Sequence, residues 1–199
     1  MGRSEETRER LRAVALALFV ERGFDATTVN EVAAAAGVSH MTFFRHFATK
    51  EDAVLDDPYD ELIVDAVLAQ APGLPVLERV RLGIDAAWSA VPEPVERETR
   101  DRVRLIAGHR GLMARAWENN RRTGDLVVEG LLMHGADPLE ARVATAACLA
   151  AVMEGLLQWG GSASGGALGP VIQQSLGYLG HPRSPVEGAH PREAEEEQR

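Results

Sequence analysis

Cysteine is nearly absent: among 199 residues only Cys148 carries a thiol. No disulfide can form within the chain, so an oxidising compartment is not implied, and Cys148 reads as a small buried hydrophobe rather than a redox sensor. Lysine is as scarce, with Lys50 alone against 20 arginines, which reads as codon bias. Aromatics make up only 5%, whereas apolar residues reach 45% and alanine is abundant. A core of Ala, Leu and Val follows, and Ala and Leu favour packed helices over a sheet. The longest apolar run, Val143 to Met153, spans eleven residues between Arg142 and Glu154, short of the ~20 that cross a bilayer. The opening Met1-Gly2-Arg3-Ser4-Glu5-Glu6 is charged and holds no apolar signal segment, so the expected location is the cytoplasm, with no membrane partner.

Chemical motifs are missing too. There is no glycine-rich phosphate loop, no Cys/His metal spacing and no serine in a nucleophile-elbow context. The six histidines (His40, His46, His109, His134, His181, His190) are scattered. Neither an enzyme nor a bound metal or cofactor is expected.

The formal charge is −9, which speaks against nucleic acid until its distribution is considered. Residues 1–50 hold seven Lys/Arg against six Asp/Glu, or +1, while the other 149 hold 14 basic and 24 acidic groups, or −10. The negative charge belongs to the rest of the chain.

The pattern predicts an all-α protein of about nine helices. A first helix runs from about Ser4 to Arg22, with Leu11, Val14, Ala15, Leu18 and Phe19 on one stripe and Gly23 as its stop. A second starts after Thr28, a hydroxyl cap. Gly37 supplies the positive φ of a tight turn, and Ser39 caps a short third helix to about His46, with Phe43 and Phe47 facing the core. A fourth begins at Lys50-Glu51, is broken near Asp57 by Pro58, and resumes with Leu62, Val64, Val67 and Leu68. Further helices are expected at 76–90, 94–107, 109–133, 138–160 and 166–179. No stretch alternates as a strand would, and no repeat is present. Residues 181–199, rich in Pro, Glu and Arg, read as a disordered acidic tail.

Ala33, Gly37 and Phe43 have helix-turn-helix spacing: a small residue where two helices cross, a glycine at the turn and a hydrophobe that packs the angle. Thr28-Val29-Asn30-Glu31-Val32-Ala33-Ala34-Ala35-Ala36-Gly37-Val38-Ser39, then Thr42-Phe43-Phe44-Arg45-His46-Phe47 and Lys50-Glu51-Asp52, closely resemble the N-terminal domain of the tetracycline-repressor (TetR) family, over about residues 7–55. The resemblance implies a three-helix helix-turn-helix DNA-binding domain at 1–49, followed by a helical ligand-binding and dimerisation domain at 50–180. It implies that Thr28 meets a phosphate at a helix N-terminus, and that His40, Met41 and Thr42 face base edges. By the same resemblance Arg45 reaches a guanine or a phosphate, His46 and Lys50 meet phosphates, and Asn30 touches the groove edge. Phe44 departs from the tyrosine common in relatives, so its contact with DNA would be apolar. Arg8, Arg10 and Arg12 fit either a solvated face or flanking phosphates.

Reading double-stranded DNA with one short helix covers few base pairs, so a palindromic operator and a homodimer are expected. The alanine-rich helix at 138–160 and the next at 166–179 are the expected dimer surface, though burial inside one chain would suit them too. The resemblance also implies a small-molecule effector, lipophilic or acyl-CoA-like. Its candidate pocket residues are Trp88, Leu105, His109, Met113, Trp117, Met133 and Met153, the large or adaptable side chains of the central helices. Arg121-Arg122 fit an anion or a solvated face. The expected role is a repressor released by its effector; a ligand-independent DNA binder and an activator are the alternatives.

Overall fold

The computed structural model describes residues 2–55, 59–90, 96–162 and 166–180. Among them the chain forms ten helices and no strand: α1 (Arg3–Arg22), α2 (Val29–Ala35), α3 (His40–His46), α4 (Asp52–Leu55), α5 (Tyr59–Leu68), α6 (Val76–Ser89), α7 (Glu96–Gly108), α8 (Arg110–Met133), α9 (Pro138–Gly161) and α10 (Leu168–Gly180). The count exceeds nine because the helix expected from Lys50 onward is two elements, α4 and α5. Its expected break at Asp57-Pro58 falls outside the described residues, as does the expected tail at 181–199.

The apolar stripe of α1 packs inward as its spacing requires: Leu11, Ala15, Leu18 and Phe19 are buried and Val14 is half-buried against them. They share a core with Val32, Ala33, Phe43, Phe47, Ala53 and Val54 of α2 to α4, and with Leu112 and Ala116 of α8. A second core joins Val67, Val80, Ile84, Val127, Leu131, Cys148, Trp159 and Ile172. Helix α8 therefore contributes to both. Its 24 residues span about 36 Å at ~1.5 Å per residue, long enough to link the N-terminal helices to the larger C-terminal bundle.

Helix α9 has 24 residues and is long and apolar enough, by length and composition alone, to cross a membrane. The helix thus runs well past the eleven-residue apolar run. Here it is the central helix of the bundle, packed on α6, α7, α8 and α10. Asp137 caps its start, its carboxylate accepting from the N–H of Leu139 and Glu140 at 2.9 Å each, with Pro138 at the first helical position. Its far end carries orphan carbonyls and partial negative charge. Two arginines of α7 serve that end: Arg100 donates to the carbonyls of Trp159 and Ser162 and lies 4.0 Å from the Trp159 ring, and Arg104 donates to Gly160 at 2.8 Å.

Gly83 sets how closely α6 approaches α5. A Cβ there would lie 2.5 Å from the Val67 Cα, a backbone atom that cannot step aside. Gly83→Ala is therefore expected to lower stability by about 1–3 kcal/mol through overpacking, despite the ~1 kcal/mol that alanine gains in helix propensity. A lowered urea midpoint at unchanged slope would show it; an unchanged midpoint would mean that the two helices can part freely.

Candidate nucleic-acid interface

Thr28 and Glu31 open α2 with a capping box. The Thr28 hydroxyl accepts from the Glu31 N–H at 3.3 Å, and the Glu31 carboxylate accepts from the Thr28 N–H and hydroxyl at 2.8 Å each. Those Thr28 hydrogen bonds, backbone first, hold the Glu31 carboxyl below its ordinary range. Gly37 takes φ +68° in the turn, where a side chain would be strained. Ser39 caps α3, its hydroxyl accepting from the Thr42 N–H at 3.1 Å. Phe43 and Phe47 are buried at 0% and 2% exposure, which turns the opposite side of α3 outward.

That outer side collects most of the residues expected at DNA. His40, Met41, Phe44 and Arg45 are exposed, Met41 at 75% and Phe44 at 41%. The His40 ring meets the Phe44 ring edge-on, 4.8 Å between centroids. Thr42 is half-buried, its hydroxyl 2.9 Å from that of Ser39. Thr28 and Asn30 are exposed at the start of α2, although the Thr28 hydroxyl is already engaged by Glu31. Lys50 is drawn inward. Its ammonium donates to the carbonyls of Phe24 at 2.8 Å and Thr27 at 3.2 Å and sits 4.2 Å from the Phe24 ring.

His46 is half-buried at the end of α3, its Nε2 buried without a hydrogen-bond partner. Burial, then the charges of Arg45 and Arg8, lowers its pKa below 6.5, so the ring is neutral at pH 7. Arg8 reaches across from α1: its Nη1 donates to the His46 carbonyl at 3.4 Å and its guanidinium lies 5.1 Å from the Phe47 ring. That tie between α1 and α3 was not anticipated, because nothing in a sequence marks which arginine of a helix face meets a neighbouring carbonyl.

The N-terminal helices are also fastened to α8. His109 accepts the Leu112 N–H through Nδ1 at 3.1 Å, which leaves its Nε2, 3.1 Å from the Asp25 carboxylate, to donate. Its ring packs on Phe24 at 4.8 Å, and Arg115 pairs with Asp52 at 3.2 Å. His109, a candidate pocket residue, thus serves as a helix cap and a link between units.

A cavity of about 280 Å³ opens between α7, α8 and α9. One face of each lines it: Thr99, Arg102, Val103 and Ile106; Ala116, Asn119, Asn120 and Thr123; Leu149, Val152, Met153 and Leu156. Arg12 of α1, Val54 and Leu55 of α4, Ile63 of α5 and Trp88 of α6 also border it. Of the seven candidate pocket residues the structure brings Trp88 and Met153 together there. Leu105 and Met113 are half-buried outside its wall, Trp117 is 38% exposed, and Met133 is 74% exposed at the far end of α8. The inward stripe of α8 carried a signal that could have located the wall: Leu112, Ala116, Asn119, Thr123 and Val127 put two polar residues in an apolar series. Arg121 is exposed and pairs with Glu118 at 2.9 Å and Asp125 at 2.6 Å.

Residues 11–55 match the family model of bacterial regulatory proteins of the tetR family. The HTH-type transcriptional regulator TcmR of Streptomyces glaucescens is 39% identical over 85 residues, 43% of this chain and 37% of that protein. The HTH-type transcriptional repressor KstR2 of Rhodococcus jostii is 35% identical over 94 residues, 42% of this chain and 46% of that protein. The matches thus span less than half the length of either curated relative. A wider likeness is to the crystal structure of Thermus thermophilus FadR, a TetR-family transcriptional repressor in complex with lauroyl-CoA. It has a TM-score of 0.50 at 25% identity, with 92% of this chain and 98% of that one covered.

The depressed pKa of His46 has a measurable sign. A folded value below the unfolded one stabilises the fold above about 6.5, and that contribution is lost as pH falls through the folded value. His46→Gln is therefore expected to flatten the decline of the urea midpoint between neutral and mildly acid pH. An unchanged decline would show that other groups set it.

Proposed function

We propose that the chain, whose residues 11–55 match the family model of bacterial regulatory proteins of the tetR family, is a sequence-specific repressor, released from a palindromic operator when a small apolar effector fills the cavity between α7, α8 and α9. One observation carries the DNA half of this reading. The leading end of α3 is exposed, with His40, Met41, Phe44 and Arg45 turned away from a core that holds Phe43 and Phe47. Arg45 suits a guanine edge or a phosphate, and Phe44 a thymine methyl. Thr42, half-buried beside the cap, presents a shorter side chain to the bases. Asn30 would touch the groove edge, and the N-terminus of α2 at Thr28 would meet a phosphate, the Glu31 carboxylate yielding place to it. Lys50 and His46 complete the backbone contacts, Lys50 by turning its ammonium outward from the Phe24 and Thr27 carbonyls.

We divide the chain at 49/50 into this DNA-binding head and an effector and dimerisation body to residue 180. Two copies would present their α3 helices about 34 Å apart, one turn of duplex. The proposed dimer surface is α9 with α10. Supporting it, a groove of about 420 Å³ lies open along both, lined by Ala151, Glu154, Gly155, Gln158, Val171, Gln174, Ser175 and Tyr178. The protein acts by binding rather than by turnover, in the cytoplasm, with no cofactor. An acyl-CoA-like effector is suggested by the lauroyl-CoA held by the Thermus protein. A full switch requires the effector to favour the released conformation by about 5.5 kcal/mol.

Selection of duplexes from a random pool, followed by binding at stated salt, tests the reading. A palindrome should emerge. His40→Ala and Thr42→Ala should change which bases are preferred, whereas Lys50→Ala should weaken all duplexes alike and reduce the salt slope by about one. A pool that emerges without sequence preference would sink the proposal.

A further inference from the structure

Helix α8 brings three polar residues to the effector cavity, Asn119, Asn120 and Thr123, set among Trp88, Leu149, Val152 and Met153. The Thr123 hydroxyl is engaged, donating to the backbone carbonyl of Asn119 at 3.1 Å. Arg12 and Arg102, which also border the cavity, have partners too. The two asparagines, both half-buried, keep capacity in hand. Asn120 donates through Nδ2 to the Leu149 carbonyl of α9 at 3.4 Å. A carbonyl only accepts, which fixes the amide with its nitrogen toward α9 and leaves Oδ1 without a partner among the described residues. The Asn119 side chain has neither donor nor acceptor engaged among them. Neighbouring positions of one helix thus offer an acceptor and a donor. A pure hydrocarbon occupant would strip water from both and replace none of its hydrogen bonds. One that only accepts would leave the Asn120 Oδ1 stranded. At the ~30 Å³ that a water occupies in the liquid, about 280 Å³ holds roughly nine non-hydrogen atoms.

We propose that the effector is an uncharged, largely apolar molecule carrying one hydroxyl, which donates to the Asn120 Oδ1 and accepts from the Asn119 Nδ2, its hydrocarbon body against Trp88, Val152 and Met153. This rests on the effector reading above and narrows it from any small apolar ligand to an alcohol. A hydroxyl is the smallest group that both donates and accepts, and a site that hydrogen-bonds one discriminates strongly against an analogue lacking it. The contact also reaches beyond the cavity. Asn120 ties α8 to α9, and α8 is fastened to the N-terminal helices by the Arg115–Asp52 pair at 3.2 Å and by His109 beside Asp25 at 3.1 Å. A hydroxyl seated on Asn119 and Asn120 therefore acts on the helix that both cores share.

Calorimetric titration of the full chain with the isomers 1-octanol and 1-methoxyheptane isolates the hydroxyl. Both have nine non-hydrogen atoms and one oxygen, but only the alcohol can donate. 1-Octanol is expected to bind at least about tenfold more tightly than the ether. Asn120→Leu should remove about tenfold of the octanol affinity and leave the ether unchanged, whereas Asn119→Leu should weaken both, since either oxygen accepts from that amide. Asn120→Ala carries the same expectation should Asn120→Leu not fold. Equal affinity for the two isomers, no octanol binding, or an undiminished preference for octanol in folded Asn120→Leu would overturn the proposal. Binding of the selected duplex without ligand is measured separately. Its failure would sink the regulator reading and leave the alcohol result standing.

Discussion

A helix of seven residues has no stability of its own, since nucleation is costly and isolated helices shorter than about 12 residues are marginal in water. Helices α2 and α3 are both of that length. What holds α3 is the burial of Phe43 and Phe47 against Leu11, Ala15 and Phe19 of α1 and Val32 and Ala33 of α2, each ring contributing about 1.5–3 kcal/mol. The exposed side of α3 is therefore a by-product of the buried one. Capping by Ser39 and the left-handed Gly37 fix where the helix begins and at what angle, and those two quantities decide which residues its leading end exposes.

The same dependence runs outward from α1. Its stripe forms the floor of the head, Arg8 clamps the end of α3, and Arg12 borders the cavity. Helix α8 closes the arrangement from the other side, with Leu112 and Ala116 in the first core, Val127 and Leu131 in the second, and His109 and Arg115 paired to Asp25 and Asp52. The cavity and the exposed side of α3 thus have two elements in common. A coupling free energy between them needs only that these elements have two arrangements which the sites favour differently.

Much of this was legible in the sequence wherever a local rule operates. The stripe of α1, the Thr28 and Ser39 caps, Gly37 in the turn, and the Asp137-Pro138 start of α9 each depend on neighbours within a turn or two, and each stands where it was expected. Contacts between distant segments were not legible. Lys50 was read by its charge and by resemblance, yet in the free protein that charge is taken by two carbonyls more than 20 residues away. Size alone nominated Met133 and Trp117 as pocket residues, but which side of α8 faces inward is decided by its packing, and both lie on its exposed side. The polar wall of the cavity was overlooked because asparagine and threonine in a helix ordinarily read as solvated.

Cys148, the one thiol, is fully buried, and loss of hydration, far outweighing the nearby Arg81 charge, pushes its pKa up to about 12. At neutral pH the thiolate fraction is of order 10⁻⁵, and only the thiolate attacks. Peroxides, electrophiles and glutathione consequently react poorly with Cys148 in the folded protein. Cys148 thus serves as packing volume in the second core rather than as a chemical handle.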